Sequence, residues 1–244
     1  MLLDSFETKE KILTEFLKIC SFDGWNNDAL RQAISNCGIE EKFTDLIFEN
    51  GCLDLAEFYV EAQNKKYAEK ILEITDLSSQ KIRNKIRLAL YNRFELEKEN
   101  KIALQRLINF YLNPKNFTSL EMGPRPMIQG LKLCYKIADS IWISINDQST
   151  DFNFYTKRLT LAKIILRSLL VFVKDESEGL EKTKSFIDSQ IEKVMQFEKR
   201  KAQVKKLSAT ASRAIKDIVL DESGTPRSPK EIIKKLPFFR LIKF

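Results

Sequence analysis

Apolar residues recur every three or four positions along most of the chain, the period of a helix buried on one face, and no pair of segments shows the two-residue alternation of paired strands. The clearest case runs from Gln148 to Ser177, where a polar and aromatic cluster leads into a long stretch with no Gly or Pro. Thr150 and Asp151 are suited to accept hydrogen bonds from the first free backbone N–H groups of that helix. Thr156, Thr160, Lys163, Arg167 and Lys174 fall in one narrow polar stripe, and most of the remaining surface is Leu, Ile, Val and Phe. A helix of this kind belongs at the centre of a bundle.

The same pattern predicts the other elements. Ile12, Leu13, Phe16, Leu17, Ile19 and Cys20 mark a first amphipathic helix ending near Ser21. Asn26 or Asn27 caps a short second helix that Gly38 stops, and a third is expected from about Glu40 to Glu49, with Gly51 ending it. This trio resembles a helix-turn-helix unit and the N-terminus of TetR-type regulators. Longer helices follow at roughly 53–73, 79–98, 101–112, 127–145 and 177–205. Asp221 to Pro226 reads as a turn-rich linker, after which Ser228-Pro-Lys-Glu231 supplies a capping box with Pro at the first helical position. The expected fold is an all-α, TetR-regulator-like bundle. Its domains are an N-terminal trio (1–50), a helical bundle (51–205), a linker (206–228) and a detached basic amphipathic segment (229–244).

A resemblance to a known family rests on spaced motifs in a fixed order. Ser149-Thr-Asp-Phe-Asn-Phe-Tyr-Thr-Lys-Arg158 closely resembles a signature of the ubiquinone-biosynthesis accessory family, protein nine of that pathway, with Phe154 where the family usually carries Trp. The likeness extends to Phe22-Asp-Gly-Trp25, Leu53-Asp-Leu-Ala-Glu-Phe58, Ala138-Asp-Ser-Ile-Trp142 and Asp175-Glu-Ser177. It implies a TetR-like fold that binds lipids, including isoprenoids of the quinone pathway, and that assists demethoxyubiquinone hydroxylase. By match to the motif, Asp151, Asn153, Phe154, Tyr155 and Arg158 are the expected partner patch. Leu131, Trp142, Ile165 and Leu169, on the two most apolar helices, are the candidate lining of a lipid pocket.

Composition narrows the chemistry further. The 244 residues contain no histidine, which removes the commonest general base and the His-containing metal sites. No carboxylate, Cys, Lys or Tyr stands out as a base with a plausible partner, so a non-enzymatic role without cofactor or metal is expected. Cys20, Cys37, Cys52 and Cys134 lack C-x-x-C spacing and read as reduced, buried thiols.

The net charge of +7 is unevenly spread: Lys199 to Phe244 holds 13 Lys and Arg against 4 Asp and Glu, whereas the first 198 residues net −2. A near-neutral body with a basic tail points to an acidic partner, either nucleic acid or an anionic membrane surface, and the membrane is the expected one. Lys234, Lys235, Phe238, Phe239, Arg240, Leu241, Ile242 and Phe244 are its candidate contacts. Nucleic acid is not expected, because the candidate recognition helix, Ile39 to Glu49, carries four acidic residues and one Lys.

No apolar run reaches the length of a bilayer span, since Lys163 and Arg167 interrupt the greasiest stretch. The early acids and missing Arg at the N-terminus favour a bacterial cytoplasm, peripheral at the inner membrane, or a mitochondrial matrix if the source is eukaryotic. The resulting reading is an accessory protein that takes up isoprenoid quinone intermediates at the membrane and presents them to the hydroxylase, with a homodimer among the expected assemblies. Its alternatives are a TetR-fold regulator sensing an apolar ligand and a helical scaffold with no ligand.

Overall fold

The computed structural model describes residues 4–72, 79–113, 125–147, 152–219 and 225. Their regular elements are all helices, with no strand among them, which agrees with the all-α expectation. The helices are α1 (Phe6–Asp23), α2 (Asn27–Asn36), α3 (Thr44–Ile47), α4 (Cys52–Leu72), α5 (Ile82–Leu96), α6 (Lys101–Leu112), α7 (Arg125–Ser144), α8 (Phe152–Phe172) and α9 (Glu181–Val219).

Local chemistry accounts for the starts and stops. Ser5 Oγ accepts from the Thr8 N–H at 3.2 Å and caps α1, and Asn26 Oδ1 accepts from the Ala29 N–H at 2.9 Å and caps α2. Along α1, Ile12, Leu13, Phe16 and Cys20 form the buried stripe. Gly24-Trp25-Asn26-Asn27 then ties the trio to α4. The Trp25 indole donates to the Cys52 carbonyl at 3.0 Å, and Asn27 Oδ1 accepts from the Cys52 N–H at 2.8 Å, satisfying a free donor at the start of α4 from outside that helix. Trp25 stands edge-on to Phe16 at 4.7 Å and to Tyr59 of α4 at 6.1 Å. The trio is therefore continuous with the bundle core rather than a separate domain, and Met1–Ile191 forms one compact unit.

The third helix differs from expectation. Instead of a helix from about 40 to 49, a 3₁₀ turn at Glu41–Phe43 leads into the single turn of α3. Phe48 leaves the helix in an extended conformation (φ −137°) to bury its ring beside Phe58, and that packing outweighs continuation of the helix. Gly51, at φ +58°, then turns the chain into α4, and a Cβ there would fall 2.4 Å from Asn27 Oδ1.

Within this unit α7 packs along α8, and α4 contacts α1, α5 and α7, while α6 contacts α1 and α7. Leu55, Tyr59 and Tyr67 of α4, Leu90 of α5, Ile141 of α7 and Phe172 of α8 are fully buried. Each large apolar side chain so buried is worth about 1.5–3 kcal/mol relative to exposure. The turn between α8 and α9 is organised by Asp175, whose carboxylate accepts from the Ser177 N–H (3.0 Å), the Thr183 N–H (2.8 Å) and the Thr183 hydroxyl (2.6 Å). Burial works against its ionisation, but these donors and the Ser177 hydroxyl prevail and hold its pKa well below the usual carboxylate range.

Helix α9 also departs from expectation, since it continues to Val219 rather than ending near Lys205 with a linker from 206. No Gly or Pro occurs between Leu180 and Ser223, and Ala202, Ala209, Ala211 and Ala214 favour helix. Residues from Glu192 form a second compact unit. The basic segment 229–244, with its eight candidate membrane contacts, lies outside the described residues.

Two predictions test this framework. Gly51→Ala combines a left-handed backbone with a clash against Asn27 and is expected to cost about 1–3 kcal/mol in denaturant unfolding; an unchanged midpoint would contradict the assignment. Asp175, with its lowered folded pKa, contributes stability that is complete above the unfolded value of about 4 and is lost as pH falls through the folded value. Asp175→Asn is expected to be less stable than the parent at pH 7 and to show a shallower acid dependence below about pH 4, whereas parallel pH profiles would count against the role.

Candidate functional site

The helices α4, α5, α6, α7 and α8 converge on a cavity of about 210 Å³ whose wall is mostly apolar. Leu104, Leu107 and Ile108 of α6 face it together with Leu133 and Ile137 of α7 and Leu166 of α8. Two of the four lining residues expected from sequence, Leu131 and Leu169, belong to this wall. Trp142 and Ile165 do not: they are 5% and 2% exposed and pack in the core away from the cavity. Helical periodicity identifies both as inward-facing but cannot separate a side chain that fills the core from one that borders a void.

The rim of the cavity is apolar as well. Leu112, Leu131 and Leu170 line the space and remain 61%, 46% and 42% exposed, so the opening presents leucine to the surroundings. A volume of about 210 Å³ lies below the roughly 300–1,000 Å³ of a site that encloses a whole drug-sized ligand. It suits a ring or a short length of chain whose remainder leaves across that rim. A second groove between α4 and α7 is larger, about 610 Å³, but it is open and bordered by Glu61, Lys136 and Asp139. Its charged border makes it a poorer match for an apolar molecule.

One side of the smaller cavity is polar. Glu97, 4% exposed, accepts from the Tyr59 hydroxyl and from Arg93 Nη1, and all three residues border the space. Burial, reinforced by the Glu97 carboxylate, pushes the Tyr59 phenol well above its ordinary pKa and keeps it a neutral donor. Arg93 Nε and Nη2 have no hydrogen-bond partner among the described residues, and neither does the hydroxyl of Tyr111, which also lines the cavity. Groups left so are expensive, about 1–3 kcal/mol each. Cys134, also in the wall, is an unreactive thiol because burial pushes it up to about 12. None of these cavity polar groups was singled out from sequence, since Arg93 and Glu97 four residues apart read as an ordinary surface ion pair on a helix.

The expected partner patch divides. Tyr155 is 60% exposed, as a surface anchor requires, and Phe154 is half-buried. Arg158, expected in the same patch, is only 2% exposed. Its Nε donates to Asp139 at 2.5 Å, its Nη1 donates to Asp147 and to the Phe154 carbonyl at 3.3 Å each, and its guanidinium lies 3.4 Å from the Phe154 ring centre. Lys157 adds an ion pair to Asp147 at 2.7 Å and stands over the Trp142 ring. Two of the spaced motifs, Ala138 to Trp142 and Phe154 to Arg158, thus meet as a clasp joining α7 to α8. A buried guanidinium demands such partners, and Asp139 and Asp147, close by in sequence across a helical hairpin, were the available signal. Asp151 lies outside the described residues, and Asn153 is placed in α8 with no described side chain.

These features define, over the described residues, a helical bundle with a small apolar cavity between its helices. The COQ9 family model matches residues 127–198, the part of the chain that supplies α7, α8 and the start of α9. The ubiquinone biosynthesis protein COQ9, mitochondrial, of Homo sapiens is 24% identical over 211 residues, covering 83% of this chain and 63% of that relative. Its Rattus norvegicus counterpart is 25% identical, with 83% and 64% covered. The probable ubiquinone biosynthesis protein coq9, mitochondrial, of Dictyostelium discoideum is 24% identical over 191 residues, with 76% and 59% covered. The chain is thus similar to the COQ9 family over the bundle, and it spans about three-fifths of the length of these relatives.

The clasp and the exposed tyrosine should respond differently to substitution. Arg158→Met leaves Asp139 and Asp147 without their shared cation and is expected to cost about 2–4 kcal/mol, reduced from the fully buried case because Asp139 is 38% exposed. Tyr155→Ala should stay within about 0.5 kcal/mol of the parent. Denaturant unfolding of both variants checks this, and an equal loss would contradict the division.

Proposed function

We propose that this protein is a non-enzymatic accessory factor of ubiquinone biosynthesis that takes up an isoprenoid quinone intermediate and presents it to demethoxyubiquinone hydroxylase. The observation that carries the reading is the apolar cavity open at a leucine rim. The cavity holds the ring or one stretch of chain, and transfer out of water drives uptake. The relatives are named for ubiquinone biosynthesis, and that supplies the ligand class.

In this reading the basic segment from Ser228 onward attracts anionic lipid while its Phe and Leu residues enter the headgroup boundary, bringing the bundle to where prenyl lipids reside. No helix among the described residues is long and apolar enough to cross a membrane. Tyr155, with Leu159 at 61% exposure one turn on, forms the surface offered to the hydroxylase. The alternative, a TetR-fold regulator, is less well supported. Its reading helix would be the single turn of α3, flanked by exposed Glu40, Glu41, Asp45 and Glu49, a surface that repels phosphate.

Native mass spectrometry of the purified full chain, incubated with a short-chain prenylated benzoquinone, tests uptake. One bound quinone per chain is expected, and Leu169→Trp, which fills the cavity, should reduce occupancy by about tenfold or more, an effect of roughly 1.4 kcal/mol or greater. A filled variant that binds as well as the parent would place the ligand elsewhere. In a pulldown, Tyr155→Ala should weaken capture of the hydroxylase while quinone occupancy is retained; unchanged capture would remove Tyr155 from the partner surface.

A further inference from the structure

We propose that the cavity selects an uncharged ligand bearing an oxygen acceptor, which Arg93 and Tyr111 bind by hydrogen bonds, rather than a plain hydrocarbon or an anionic headgroup. This rests on the cavity being the ligand site. Three donor groups on residues that line this mostly apolar cavity lack a partner among the described residues: Arg93 Nε, Arg93 Nη2 and the Tyr111 hydroxyl. Both side chains are more than nine-tenths buried, at 4% and 8% exposure. Native proteins seldom leave such groups unpaired, and a ligand oxygen with two lone pairs is the partner this wall is short of.

The charge balance decides which oxygen. Arg93 is already neutralised by Glu97, which is itself buried, so the wall carries no net charge. A phosphate or carboxylate would bring an uncompensated anion next to Glu97 and is disfavoured, whereas a carbonyl, ether or hydroxyl oxygen adds acceptors and no charge. Burial also pushes the Tyr111 phenol upward, so it stays protonated and able to donate. Gly130 of α7 holds this arrangement closely. A Cβ there would lie 3.3 Å from Tyr111 Cγ, so the helix backbone approaches the tyrosine ring as only glycine readily permits.

The test compares three probes with the same saturated chain on the full-length protein: an alkylated benzoquinone, the matching alkylbenzene and the matching alkyl phosphate. Arg93 variants would strip Glu97 of its counterion and threaten folding, so Tyr111→Phe carries the experiment. It removes a hydroxyl with no protein partner among the described residues and should leave the melting temperature of the unliganded chain unchanged or raised.

The parent is expected to bind the quinone more tightly than either other probe. Tyr111→Phe should weaken quinone binding by about three- to tenfold and leave alkylbenzene binding unchanged. Equal effects of the substitution on both, no effect on either, or tighter binding of the phosphate would overturn the selectivity while leaving the lipid site in place. Failure of the parent to bind any of the three would overturn the site as well.

Discussion

A carboxylate buried between two helices sets the terms for the rest of this bundle. Glu97 cannot be removed from water without donors, and it obtains them from Tyr59 on α4 and Arg93 on α5. Tyr59 in turn packs against Trp25, which ties to the first turn of α4, so the N-terminal trio, α4 and α5 share one set of contacts. The same three polar side chains border the cavity. Its polar side is therefore a consequence of how the helices are held together, and because Glu97 uses only one guanidinium nitrogen, Arg93 Nε and Nη2 are left without a partner among the described residues.

The part of the wall supplied by α7 and α8 depends on a second charged group. Arg158 joins Asp139 of α7 and Asp147 to α8, fixing the hairpin whose inner faces carry Leu133, Ile137 and Leu166. Phe154 stacks under that guanidinium, so an aromatic face at this position serves the clasp without an indole N–H. What remains outward is Tyr155 with Leu159. A motif that reads as a single recognition patch divides into a buried structural half and an exposed half that can meet a partner.

Much of this was readable from residue pattern. The bounds of α6 agree with the sequence reading at Lys101 and Leu112, α4 begins and ends within a residue of expectation, and Leu131 and Leu169 fall in the cavity wall. Periodicity reports which face is inward, and those features depend on that alone. It does not report what lies opposite. Arg93 was unreadable for this reason: it stands four residues from Glu97 on its own helix, and only packing shows that the pair is buried, whereas for Arg158 the acids across the hairpin, Asp139 and Asp147, were the signal. The fragmentation of α3 came from the tertiary demand of Phe48, and the added length of α9 from alanine-rich sequence that a boundary drawn on charge undervalued.

The central claim is that an apolar ligand occupies the space between α4, α5, α6, α7 and α8. Photolabelling the full chain with a prenyl chain carrying a diazirine, followed by peptide mapping, measures this most directly. Label on Leu104, Leu107, Ile137 or Leu166, and its loss under competition by unlabelled prenyl quinone, is the predicted result. Label confined to the groove bordered by Glu61 and Lys136, or spread over the surface without competition, would contradict it.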